Sequence, residues 1–168
     1  MRPFADFSLA LVKISNSIGA TSSDNEAELA KVLITGITHN DSDVQAGDLF
    51  IALPGAKRHG AEFATNAQKQ GAVAVVTDAA GAKLISGIPV LVVANPRLVA
   101  GRIAALFYGE PMRDLSAVAI TGTNGKTTTT IILNQILKYA GKSTGLIGTI
   151  GIEVGPEKIA ANFTTPEA

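Results

Sequence analysis

Six consecutive residues carry the clearest chemistry in the chain: Gly122, Thr123, Asn124, Gly125, Lys126 and Thr127. They follow the β-rich run Ala117-Val118-Ala119-Ile120-Thr121 and precede an amphipathic pattern in which Ile131, Ile132, Leu133, Ile136 and Leu137 lead to Gly141. Strand, glycine turn and helix in this order suit a phosphate group. The turn aims successive amides at the phosphate oxygens, and the helix adds the positive end of its dipole. Lys126 is placed to neutralise the β- and γ-phosphates of ATP, and the Thr127 hydroxyl to ligate a bridging Mg²⁺. Thr127 to Thr130 are poor helix formers, so their place at a helix start suggests useful hydroxyls, with Thr128 as a second phosphate contact. The usual phosphate-loop pattern has a further glycine where this chain has Ile120, but the Gly-Lys-Thr core is kept. The plainer reading is a turn in which Thr127 caps the helix and Lys126 lies in solvent. Strand, glycines, lysine, hydroxyl and amphipathic helix arriving together argue against it.

The elements that must position these residues are legible upstream. Short β-rich runs, Val32-Leu33-Ile34-Thr35, Leu49 to Leu53, Ala72 to Val76, Val90 to Val93 and Ala117 to Thr121, alternate with helical patterns over Ala61 to Gln70 and Arg97 to Tyr108. That alternation predicts an α/β fold. Phe63 with Ala67, and Leu98 with Ile103 and Leu106, are expected to face a sheet. Gly71 and Gly109 are expected to end the two helices. The segment Tyr108 to Asp114 breaks the periodicity, and Pro111 disfavours helix at Glu110, so a domain boundary is expected there, the alternative on composition alone being an ordinary helix-to-strand loop within one domain.

Composition narrows the classes. The 168 residues hold 14 Lys+Arg against 14 Asp+Glu and are 46% hydrophobic, which supports a packed core and excludes dominant disorder. A balanced charge argues against a broad nucleic-acid surface and leaves a local anion site open. Without cysteine there is no disulfide scaffold, thiolate metal site or thiol nucleophile. No run approaches the roughly 20 apolar residues of a membrane span. The start, Met1-Arg2-Pro3-Phe4-Ala5-Asp6, lacks the order of a secretory signal. The expectation is a soluble cytoplasmic protein with no membrane insertion.

The loop Gly122 to Thr129 resembles the ATP loop of the Mur ligases, and similar loops occur in cyanophycin and folylpolyglutamate synthetases. Gly47-Asp48-Leu49-Phe50-Ile51-Ala52-Leu53-Pro54-Gly55, with His59-Gly60 and Phe63, is similar to the UDP-sugar-binding domain of the branch that adds the third residue of the peptide. Thr164-Thr165-Pro166-Glu167-Ala168 is similar to that branch's muramoyl-peptide contact. The resemblance implies residues 1–112 as a UDP-N-acetylmuramoyl-substrate-binding domain and residues 113–168 as the beginning of a P-loop ATPase-like central domain. It implies ATP- and Mg²⁺-dependent joining of a diamino acid, meso-diaminopimelate or L-lysine, to UDP-N-acetylmuramoyl-L-alanyl-D-glutamate through an acyl phosphate, in peptidoglycan precursor synthesis.

Carried over residue by residue, the resemblance places Ala56, Lys57 and Arg58 on a uridine-contacting stretch, Asp41 on a uridine-contacting serine, His39 on a flanking backbone contact, and Thr164 and Thr165 on the muramoyl peptide. The chain departs from the family at Asn40-Asp41-Ser42-Asp43, where Asp-Ser-Arg is usual, and a carboxylate beside a pyrophosphate is unfavourable unless it faces the base or water. The later acidic Mg²⁺ ligands, a carbamylated lysine and a C-terminal domain of the family have no counterpart in these 168 residues, so they are not expected to ligate alone. The other readings are a noncatalytic nucleotide- or UDP-sugar-binding module, and an amide ligase of the cyanophycin-synthetase type.

Overall fold

The computed structural model describes residues 8–159. The chain divides into two compact units, residues 1–114 and 115–168. The first contains, in order, β1 (Leu9–Ala10), α1 (Leu11–Ile18), α2 (Glu26–Lys31), β2 (Leu33–Ile34), β3 (Gly36–Thr38), β4 (Asp48–Ile51), α3 (Ala64–Gln70), β5 (Ala74–Thr77), α4 (Ala79–Ala82), β6 (Val90–Val92) and α5 (Pro96–Phe107). The second contains α6 (Lys126–Tyr139), β7 (Gly145–Gly148), β8 (Gly151–Val154) and β9 (Glu157–Ile159).

Strands β3, β4, β5 and β6 form a parallel sheet in sequential order. Parallel strands are buried on both faces, which is why their sequences read as continuous apolar runs. Side chains alternate between the two faces. Leu49, Ile51, Ala74, Val76 and Leu91 pack with Leu11 and Ile14 of α1, Leu29 of α2, and Ala100, Ile103 and Phe107 of α5. Phe50, Ala52 and Val75 pack on the other side with Ala61, Ala64 and Ala67. The expected α/β class is the one observed. The first apolar run is divided: Leu33 and Ile34 pair antiparallel with β1, and the chain re-enters the parallel sheet at Gly36.

Helix α5 begins where Asn95 accepts from the amides of Arg97 and Leu98 and Pro96 fills the first turn, where its missing N–H costs nothing. Its inward face is Ala100, Ile103 and Phe107. Leu98, expected on that face, is 79% exposed, because it lies five positions before Ile103 and a helical spacing of three or four is needed to share a face.

In the second unit, β7, β8 and β9 form an antiparallel meander. The Ser143 to Val154 strand region is thus a hairpin, Gly148 facing Gly151 across its tip. The strand expected at Ala117 to Thr121 does not form. Its residues are β-prone, but a strand exists only through a ladder, and among the described residues none of the named strands pairs with it. Among the described residues no helix is long and apolar enough to cross a membrane.

Candidate functional site

In the second unit the turn after Thr121 leads directly into α6. Gly125 is the residue before the helix and has φ +79°, a left-handed conformation that costs glycine little. Having no side chain, it leaves the amides of the first turn uncapped, and no acidic residue occupies that turn. Uncapped amides at the N-terminus of a 14-residue helix favour an anion.

Lys126 folds back across the turn: its ammonium donates to the carbonyl oxygen of Gly122 and, at 3.3 Å, to that of Thr123. Thr130 Oγ1 donates to the Lys126 carbonyl at 2.8 Å. A cavity of about 450 Å³ opens here, within the 300–1,000 Å³ typical of small-molecule sites. Gly122, Lys126 and Thr127 line it, together with Thr121, Thr130 and an apolar wall of Ile120, Ile131, Leu146, Ile147 and Ile150. Thr123, Asn124, Gly125 and Thr128 do not line it. Thr130 and the hairpin tip at Thr149 and Ile150 escaped sequence reasoning, since only the hairpin brings the tip to the cavity.

Glu153 ties the hairpin to the helix. Its carboxylate accepts from Asn134 Nδ2 at 3.1 Å and pairs with Lys138 at 3.2 Å and Lys158 at 2.9 Å. The Lys158 hydrogen bond, followed by that of Lys138, holds its carboxyl below the usual range. Thr127 supplies a hydroxyl, the hard oxygen donor that Mg²⁺ prefers. Among the described residues no group of three or more His, Cys, Asp or Glu side chains could hold a metal alone.

In the first unit the parallel strands share one C-terminal edge, where open α/β sheets generally take their ligands. The segments after β3, β4, β5 and β6, residues 39–43, 52–59, 78 and 93–95, leave the sheet there. His39 follows β3 directly and is exposed. Asp41 is engaged with α3: its carboxylate accepts from Asn66 Nδ2 at 2.7 Å and its carbonyl from Gln70 Nε2 at 2.8 Å. That engagement gives the departing carboxylate a partner inside the protein. Asp48, fully buried, accepts from the Gln45 amide at 2.9 Å and so fixes the turn into β4.

Ala56 and Lys57 form the exposed tip of the loop after β4. Arg58 is drawn back, bonded to Glu62 at 2.9 Å and stacked 4.5 Å from the centre of the Phe63 ring. Glu62 also accepts from the His59 amide at 3.0 Å; that bond and Arg58 lower its pKa. His59 and Glu62 form a capping box, with His59 in the place usually taken by Ser or Thr, so the sequence pattern alone does not announce it. Thr164 and Thr165 lie outside the described residues.

Residues 33–108 match the family described as Mur ligase family, catalytic domain, and residues 120–168 match the Mur ligase middle domain. A Streptomyces coelicolor UDP-N-acetylmuramoyl-L-alanyl-D-glutamate--2,6-diaminopimelate ligase is 47% identical over 169 residues, covering 99% of this chain and 32% of that protein. A Deinococcus radiodurans UDP-N-acetylmuramyl-tripeptide synthetase is 43% identical over 138 residues, covering 80% of this chain and 28% of its own length. The chain thus spans about a third of the length of the curated relatives it matches. Among solved structures, MurF from Acinetobacter baumannii superposes with a TM-score of 0.62 at 24% identity, covering 79% of this chain and 28% of that one. A UDP-N-acetylmuramoyl-L-alanyl-D-glutamate--2,6-diaminopimelate ligase gives 0.62 at 21% identity over 90% of this chain and 30% of that one. Both show the same fold.

Proposed function

Since the chain belongs to the Mur ligase family, we propose that its two units hold the two nucleotides of an amide-forming ligation. The first binds UDP-N-acetylmuramoyl-L-alanyl-D-glutamate at the sheet's C-terminal edge, and the second binds ATP at the turn before α6. The whole protein then joins a diamino acid to the D-glutamyl side-chain carboxylate. The names of the most similar relatives favour 2,6-diaminopimelate over L-lysine.

One observation carries the reading: Lys126 and Thr127 line a cavity below the uncapped start of α6. In this reaction class a carboxylate takes the γ-phosphoryl group, the incoming amine attacks the acyl phosphate, and phosphate leaves. Little covalent chemistry falls to the protein, whose task is to position the groups and offset charge. The amides of Lys126 and Thr127 and the Lys126 ammonium receive the phosphate oxygens, exchanging the carbonyls of Gly122 and Thr123 for stronger anionic acceptors. Thr127 would help to hold Mg²⁺, which would supply positive charge to offset that of the phosphates. Ala56, Lys57 and Arg58 are proposed to meet the uridine end, as is His39 after β3, while Asp41 holds its own turn onto α3. Thr164 and Thr165 are proposed to reach the muramoyl peptide. The reaction belongs to peptidoglycan precursor synthesis in the cytoplasm.

Separate calorimetric titrations of the chain with Mg-ATP and with UDP-N-acetylmuramoyl-L-alanyl-D-glutamate test the assignment. Saturable binding of both, with Lys126→Ala weakening only the first, is expected. A folded chain that takes up neither ligand overturns it.

A further inference from the structure

We infer that His59 is the positioning residue of the loop 54–58, and that its bond to Asp78 rather than its capping bond sets the loop's affinity for the uridine end of a UDP-sugar. The inference rests on the substrate reading of the first unit. His59 is not one of the residues proposed to touch that substrate, and its side chain is only 17% exposed.

The ring makes two bonds of different kind. Nδ1 accepts the Ala61 amide at 3.0 Å, so it carries no proton. The neutral ring then has its hydrogen on Nε2, which donates to Asp78 Oδ1 at 3.2 Å. Asp78 cannot swing away, because the same oxygen accepts the Gly81 amide at 2.8 Å. A Cβ built on Gly81 would come within 2.5 Å of His59 Cε1, so the imidazole lies directly on the helix start and depends on glycine there.

Only one of these bonds reaches outside the loop's own stretch of chain. The Ala61 bond is local. The Asp78 bond joins the loop after β4 to the end of β5, two strands that feed the same sheet edge. The loop closes on itself just above this point: Gly60 donates to the Leu53 carbonyl at 2.9 Å, Gly55 to that of Arg58 at 3.1 Å, and Pro54 bridges His59. With the ring fixed, the Ala56-Lys57 tip has one place to stand; with it released, ordering the loop is charged against ligand binding.

Two near-isosteric replacements separate the bonds in the full chain. His59→Gln keeps a donor near the Nε2 position but loses the acceptor for Ala61. His59→Asn keeps the acceptor but cannot reach Asp78. The expected order of affinity for UDP-N-acetylmuramoyl-L-alanyl-D-glutamate is wild type, then Gln within about threefold, then Asn roughly tenfold weaker. Thermal stability should run the other way, Asn above Gln, because only Asn caps the turn. Affinity that follows stability, or that is equal in the two variants, overturns the inference. If the wild type takes up none of the nucleotide, the substrate reading fails, and amide exchange at Gly55 and Gly60 still decides the latch. Faster exchange in the Asn variant alone supports it, and equal exchange in both sinks it.

Discussion

The Lys126 ammonium donates to the carbonyl oxygen of Gly122, four residues earlier in the same turn. A cation parked on neutral carbonyls is held by weaker bonds than phosphate oxygens offer, so a nucleotide displaces them at little cost. Lys126→Ala should therefore weaken Mg-ATP binding about 10- to 100-fold, the loss of one charge-assisted contact. No core packing is removed, because no residue of α6 is buried. The thermal midpoint should stay within a degree or so. Calorimetry and a melting curve on the same sample check both halves, and unchanged affinity contradicts the assigned role.

Thr127 separates the metal from the fold. Thr127→Ser retains the hydroxyl and Thr127→Val retains the shape. In titrations with ATP, added Mg²⁺ should tighten binding to the wild type and the serine variant, and have little effect on the valine variant. Equal Mg²⁺ enhancement in all three would remove Thr127 from the metal's surroundings.

Two residues of α5 test the packing of the first unit. Ile103 is fully buried among Leu11, Ala100 and Phe107, so Ile103→Ala should cost about 2–5 kcal/mol. Leu98 is 79% exposed, and Leu98→Ala should stay within about 0.5 kcal/mol. Denaturant unfolding gives both values, and comparable losses would mean that the helix faces the sheet differently.

This pair also marks where sequence reasoning stopped. The apolar runs at 49–53 and 72–76 identify sheet strands by themselves, because both faces are buried and composition suffices. A helix face needs phase as well as composition, and grouping Leu98 with Ile103 missed the phase. Ala117 to Thr121 failed for another reason: β-propensity describes how a residue fits a sheet, whereas the partner strand that makes the sheet is not encoded locally. At the candidate sites the glycines, Lys126 and Thr127 were legible because their chemistry is local to one turn. The bonds of Asp41 to Asn66 and of His59 to Asp78 join residues 25 and 19 positions apart, and only the folded sheet edge brings them together.

Asp78 gives the first unit an acid-sensitive element. Its carboxyl is held below the ordinary value of 3.8, chiefly by the Gly81 amide and further by His59. A carboxyl with a lowered folded-state pKa adds stability that is fully present above its unfolded-state value and lost as pH falls through the folded-state value. The wild type should accordingly lose stability as pH drops below about 4. Asp78→Asn keeps an oxygen for the Gly81 amide but has no charge to titrate. It should be the less stable protein at pH 7, with the gap closing as the pH is lowered toward 3. Urea unfolding of both proteins across that range measures the gap. A difference that stays constant down to pH 3 would show that the ionised carboxylate adds nothing in the folded state.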